Sequence, residues 1–225
     1  HINDSSKGKA AVGNLVANQI VFGSEVVFHS NITGEFNRVS FDPTSGKVVV
    51  AYVDEADSNK GKALVGTVSG TSISFGSEAI FHNAATYRNS LVYDPTSNKT
   101  LIAYSDAGSS NGGTFVMATV SGTSISFGSE AVFEAGEAAN IATTYDSNND
   151  RVVIVYEDAT DSDQGSAVVV STAASVSNIT SENYIGMSRG ALNTLTQSEA
   201  TGSDVEFDNT DVVQSNIGYD SNADR

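Results

Sequence analysis

The chain has 225 residues, with 27 acidic against 11 basic ones, a formal net charge of −16, and neither cysteine nor tryptophan. That balance excludes the basic patch nucleic acid needs, and the missing thiols exclude disulfides, thiolate nucleophiles and zinc–thiolate sites. No apolar run nears the ~18 residues of a membrane helix, so no membrane insertion is expected; an acidic, Ser/Thr/Asn/Gly-rich surface suits an extracellular or virion location.

Taken from the start, the chain repeats itself. "VANQIVFGSEV" at 16–26 is a worn copy of "VSGTSISFGSEA", which occurs identically at 68–79 and 120–131. The "FGSE" motif starts at Phe22, Phe75 and Phe127, in steps of 53 and 52. The turns "DPTSGK", "DPTSNK" and "DSNNDR" start at Asp42, Asp94 and Asp146, each 52 apart. Apolar runs "VVVAY", "TLIAY" and "VVIVY" end at Tyr52, Tyr104 and Tyr156, again 52 apart. A fourth copy is marked by "GSDVEF" at 202–207 and "YDSNADR" at 219–225, and its step from Asp146 to Asp220 is 74 residues. The repeats divide the chain into 1–52, 53–104, 105–156 and 157–225, with an insertion at about 178–201. The phase of the two ends predicts a piece of a longer repeat array rather than a ring cut within one strand.

Within a repeat the pattern predicts four strands. "KALVGTV" at 62–68 turns through Gly70-Thr71 into "SISFGSEAIF" at 72–81, where Ile73 and Phe75 alternate with Ser72 and Ser74. A period of two marks a half-buried strand. "NSLVYD" at 89–94 leads into "DPTSNK", a tight turn with Pro95 presetting φ and Asp94 accepting a turn hydrogen bond. "TLIAY" at 100–104 is continuously apolar and is expected to be buried on both faces. No segment carries a 3.6-residue apolar period, so helix is expected to be almost nil. Four antiparallel strands in about 50 residues predict an all-β chain, a β-propeller of ~52-residue four-stranded blades. A single sheet exposes both faces; stacking blades face to face hides them, and each blade must then fit the same neighbour.

What every repeat shares is most economically structural, so candidate function lies where repeats differ. The variable stretches are 29–38, 82–89, 134–140 and 208–216, read as loops after the second strand. They supply the candidate ligand-binding residues His29, Asn31, Arg38, His82, Tyr87, Arg88, Asn140, Asp208 and Gln214. The acidic loops "DEADSNKG", "DAGSSNGG" and "DATDSDQG" follow each tyrosine and supply the candidate calcium ligands Asp54, Asp57, Asp106, Asp158, Asp161 and Asp163. Calcium takes about six to eight oxygen ligands; the competing reading is a solvated loop whose first Asp accepts backbone N–H bonds. Calcium is the one cofactor considered. Tyr52, Tyr104 and Tyr156 are expected in the core, with hydroxyls hydrogen-bonded near the rim.

No GxSxG, HExxH, P-loop or dinucleotide fingerprint occurs, and no catalytic residue is assigned. The segments "GTVSGTSISFGSEAVF" and, above all, "NITSENYIGMSRGA" at 178–191 resemble a repeat of phage tail-fibre-like and adhesin-like proteins. The resemblance implies a non-enzymatic, virion-associated or secreted structural protein binding a host-surface glycan or another fibre protein, with homo-oligomers allowed. A sialidase- or glycosidase-like propeller with acids in its central funnel is the alternative, and a structural spacer or decoration protein the third.

Overall fold

A computed structural model describes residues 6–34, 36–170 and 176–178 of the chain. The expected fourth copy, with Asp208 and Gln214, and residues 179–201 of the expected insertion lie outside the described residues. The architecture is all-β. Apart from two 3-10 turns, at Glu55–Asp57 and Ala107–Ser109, every regular element among the described residues is a strand.

The first sheet unit comprises β1 (Lys7–Ala10), β2 (Gly13–Val16), β3 (Gln19–Phe22) and β4 (Val26–Ile32). Next come β5 (Arg38–Asp42), β6 (Lys47–Asp54), β7 (Lys60–Ser69), β8 (Ser72–Phe75) and the long β9 (Ala79–Asp94). The pattern recurs in β10 (Lys99–Asp106), β11 (Gly112–Ser121), β12 (Ser124–Phe127) and the long β13 (Ala131–Asp146). β14 (Arg151–Asp158), β15 (Gln164–Val170) and β16 (Val176–Asn178) end the described chain. All pairings are antiparallel, and β5 to β16 join in one 12-stranded sheet, with β1–β4 and β2–β3 as separate pairs.

The size of that sheet comes from two shared strands. β9 pairs with β7 through Ala79–Ala85 and with β10 through residues 86–94, and β13 divides itself likewise between β11 and β14. Each long strand is thus the outer strand of one unit and the first strand of the next. The register slips where it crosses over, and Arg88 (φ 52°) and Asn140 (φ 46°) take left-handed backbone there. Asparagine tolerates that region; arginine seldom enters it, and the excursion marks a local bulge. Residues 82–89 and 134–140, expected as loops, are therefore strand, because backbone pairing with two successive neighbours leaves no gap in the ladder. The sheets are open, and no ring closes among the described residues.

The burial on both faces expected for "TLIAY" divides between two different cores. On β10, Leu101 and Ala103 join Phe115 of β11 against Val152, Ile154, Tyr156 and Val168 of the following unit. Their neighbours Ile102 and Tyr104, with Val116, face the preceding unit's Val49, Ala51, Ala63 and Val65. Residues 101–104 are fully buried as a result. Each buried aliphatic or aromatic side chain contributes roughly 1.5–3 kcal/mol, so the apolar runs are stable only where a second unit covers the first.

The recurring "FGSE" has a specific cause. It interrupts the outer strand between β8 and β9, where the Gly76 N–H donates to the Val65 carbonyl over 2.9 Å. A Cβ at Gly76 would run into the Thr123 carbonyl oxygen of the next unit, and one at Gly23 into the Thr71 carbonyl. Backbone meets backbone at the same place one repeat apart, which only glycine permits.

Candidate functional site

One end of the units gathers most of the polar side chains singled out above. It is built where the long strands cross over and where β6, β10 and β14 end in their acidic loops. Asp54 caps the first 3-10 turn: its Oδ1 accepts the N–H groups of Ala56 and Asp57 over 3.1 and 3.2 Å. Asp106 accepts the Gly108 N–H at 2.8 Å, and Asp158 accepts the N–H groups of Thr160 and Asp161 at 2.9 and 3.2 Å. A short side chain at the end of an extended strand satisfies otherwise orphaned donors in this way.

Against these caps stands a cluster that repeats. His29 Nδ1 lies 2.6 Å from Glu78 Oε1 and 3.2 Å from the Tyr52 hydroxyl. Its Nε2 lies 3.2 Å from Asp54 Oδ1, a close contact without hydrogen-bond alignment. One repeat on, His82 Nδ1 lies 2.7 Å from Glu130 Oε1 and 3.3 Å from the Tyr104 hydroxyl, and Nε2 hydrogen-bonds Asp106 Oδ1 at 3.1 Å. Only the imidazolium form can donate to both carboxylates at once. In the third copy Glu134 replaces histidine, accepting from the Tyr156 hydroxyl at 3.2 Å and from the Gly136 N–H at 2.6 Å. The two histidine clusters tie the outer strand of one unit to the middle strand and the "FGSE" turn of the next, and the third ties β13 to β14.

The electrostatics follow from burial. Tyr52 and Tyr104 are fully enclosed, and burial, reinforced by Glu78 and Glu130 respectively, pushes both phenols far above their ordinary range. They are hydrogen-bonded core residues, as expected. Burial pushes the Asp54 carboxyl up, but the Lys62 ammonium at 2.6 Å and the neighbouring His29 outweigh it and hold the group below the usual carboxylate range. Lys62 is pushed down by burial and more strongly up by Asp54 and Asp57, so it stays charged above the usual lysine range. Asp57 is held low by the hydrogen bonds it accepts from Lys60 and Lys62.

The candidate ligand residues divide into two groups. His29 and His82 are buried in the clusters, Arg88 donates to Glu137 Oε1 at 3.0 Å, and Asn140 donates to Glu157 Oε2 at 2.6 Å. Asn31, Arg38 and Tyr87 are exposed; the Arg38 guanidinium lies 5.5 Å over the Phe36 ring. The calcium candidates stay apart, one set per loop, and at Asp54 one oxygen is held by backbone N–H groups and the other by Lys62. No group of three or more His, Cys, Asp or Glu side chains among the described residues is arranged to hold a metal ion.

Glu78, Glu130, Glu137, Glu157 and Lys62 escaped sequence reasoning as site partners. The signal was present in the spacing: His29–Glu78 and His82–Glu130 are 49 and 48 residues apart, just short of one repeat. Comparison with family models, curated proteins and solved structures finds no match to this chain.

Proposed function

We propose that the chain is a β-propeller of ~52-residue blades with an adhesive or structural role, carried on a virion or secreted and without catalytic activity. Stacking of successive units, each sealing the apolar side of the next, supports the propeller reading. The crossover end is the contact surface, for a host-surface glycan or another fibre protein. The observation carrying this is the contrast between repeats at that end. Exposed Asn31 faces outward where its counterparts are Ala84 and Gly136, Arg38 where they are Ser90 and Ala142, and Tyr87 where it is Ala139. At the buried position of the clusters, by contrast, His29 and His82 give way only to Glu134, another hydrogen-bonding group. An exposed guanidinium beside an aromatic ring suits a polar ligand with hydroxyl or carboxylate groups, and weak contacts gain avidity from several copies.

A glycan array on the chain and on an Arg38→Ala/Tyr87→Ala variant tests the reading. Binding to a glycan class by the parent, lost in the variant with melting unchanged, is the expected result; equal binding by both would place the contact elsewhere. The structural-spacer reading has its own support, because His29, His82, Arg88 and Asn140 are taken up by bonds within the fold. It predicts no glycan bound by either protein and self-association or fibre-protein capture instead.

A further inference from the structure

β1 and β2, interrupted only at 11–12, take the place in the first unit that β7 and β11 take in the next two. Among the described residues they are paired along one edge, β1 with β4 and β2 with β3. β7 and β11 pair on that side too, and along their other edge with β6 and β10. Burial records the difference. Ala63, Leu64 and Val65 of β7 are fully buried, whereas at the corresponding places Ala10 and Val12 are half-buried and Ala11 is exposed. The β2–β3 hairpin beside them exposes Leu15 (70%), Ile20 (62%) and Phe22 (66%). A two-stranded ribbon is marginal on its own in water, and an open edge beside apolar side chains is a template for a further strand.

The pairing one repeat on shows what that strand must carry. β6 lies against β7 with Val48 opposite Gly66 and Asp54 opposite Lys60. A Cβ at Gly66 would meet Val48 at 2.6 Å, Ile73 at 2.9 Å and Phe75 at 3.0 Å; a Cβ at Gly13 would meet Ile20 at 2.8 Å and Phe22 at 3.1 Å. Two walls of the same cradle are in place at Gly13, and the valine wall is the one an added strand would supply. Charge agrees. Lys62 Nζ bonds Asp54 Oδ2 at 2.6 Å while lying 3.9 Å from Glu78. Its counterpart Lys9 holds Glu25, the counterpart of Glu78, at 3.1 Å. Thr114 and Ser166 stand at this place in the later repeats, so the lysine belongs to the first two units. We infer that β1 and β2 accept an added antiparallel strand of the repeat's own type, an apolar run ending in Tyr-x-Asp like "VVVAYVD", "TLIAYSD" and "VVIVYED". Its valine falls opposite Gly13 and its aspartate beside Lys7 and Lys9. Main-chain hydrogen bonds supply the affinity, and the valine and aspartate fix the register. This acceptor role goes beyond the adhesive reading and is independent of how many units the array holds.

The probe is a fluorescent synthetic peptide of residues 45–56, "SGKVVVAYVDEA", titrated into the 225-residue chain and followed by anisotropy, with a scrambled peptide of the same composition as control. The expected result is saturable one-to-one binding by the first peptide alone, with hydrogen-exchange protection gained at 7–16. Asp54→Ala in the peptide and Lys9→Ala in the chain, the latter first compared with the parent by circular dichroism and melting, should each weaken binding about fivefold. Together they should cost no more than either alone, because both remove one contact. Absence of binding, equal binding of the scrambled peptide, or protection at β5 or β16 in place of 7–16 overturns the inference. Fully additive losses would put the aspartate away from Lys9 and overturn the register. Protection of 7–16 that rises with protein concentration without peptide would make a second copy the occupant, and also overturns it.

Discussion

Gly76→Ala is the sharpest probe of how the units approach one another. The new methyl would enter the Thr123 carbonyl oxygen, and neither partner can step aside by changing rotamer, because both are backbone. Relief requires the 122–123 turn of the neighbouring unit to withdraw, loosening a junction that buries Phe81 and Ile125. Overpacking costs about 1–3 kcal/mol, and the backbone-on-backbone case belongs at about 3 kcal/mol. At about 2–4 °C per kcal/mol for a chain of this size, the melting temperature should fall by about 6–12 °C. Gly46→Asn is the comparator: its φ is 66°, nothing lies within 4 Å, and asparagine accepts left-handed backbone, so its cost should be about 1 kcal/mol or less. Thermal melts by circular dichroism or calorimetry decide. A Gly76→Ala protein melting no lower than Gly46→Asn would refute the close approach and the account of "FGSE" built on it.

Tyr104→Phe should cost about 1 kcal/mol, read from urea midpoints, since it removes one buried hydroxyl while leaving the His82–Glu130 bond in place; an unchanged midpoint would argue against that hydroxyl bond. His82→Ala should cost more, about 2–3 kcal/mol, because the Asp106 and Glu130 carboxylates lose their shared partner. For Lys62→Met, urea unfolding across pH tests the Lys62–Asp54 pair. Asp54 is depressed when folded, so its contribution is complete above the ordinary unfolded carboxylate value of about 3.9 and is lost as pH falls through the lower folded value. Lys62 is raised, so its contribution is complete below about 10.4 and is lost as pH rises through the folded value. The stability gap between parent and variant should therefore shrink at both the acid and the alkaline end; a gap that persists undiminished at both ends would contradict the pairing. Chelation with EGTA should leave the melting temperature unchanged, because the caps already occupy Asp54, Asp106 and Asp158; a fall of several degrees would restore calcium to the acidic loops.

The all-β character and most strands were legible in the sequence because burial writes a period into it, although the strand expected over 72–81 is broken into β8 and β9, and β9 runs on through 89–94. Alternation at Ile73 and Phe75, unbroken apolar runs at 101–104, and turn chemistry at Asp42, Asp94 and Asp146 are local facts, and the strands follow them. The 52-residue spacing likewise announced a unit that must meet a copy of itself. Which residues meet across that junction was another matter. His82 reads as a surface residue in a variable stretch until the crossover strand carries it beneath Tyr104 and against Glu130, 48 residues away. Arg88 and Asn140 read as ligand-binding candidates, and the structure turns them toward Glu137 and Glu157 at the bulge. Periodicity reports only whether a side chain leaves water. Its polar partner is chosen by the stacking of separate sheets, a three-dimensional relation that no local pattern encodes.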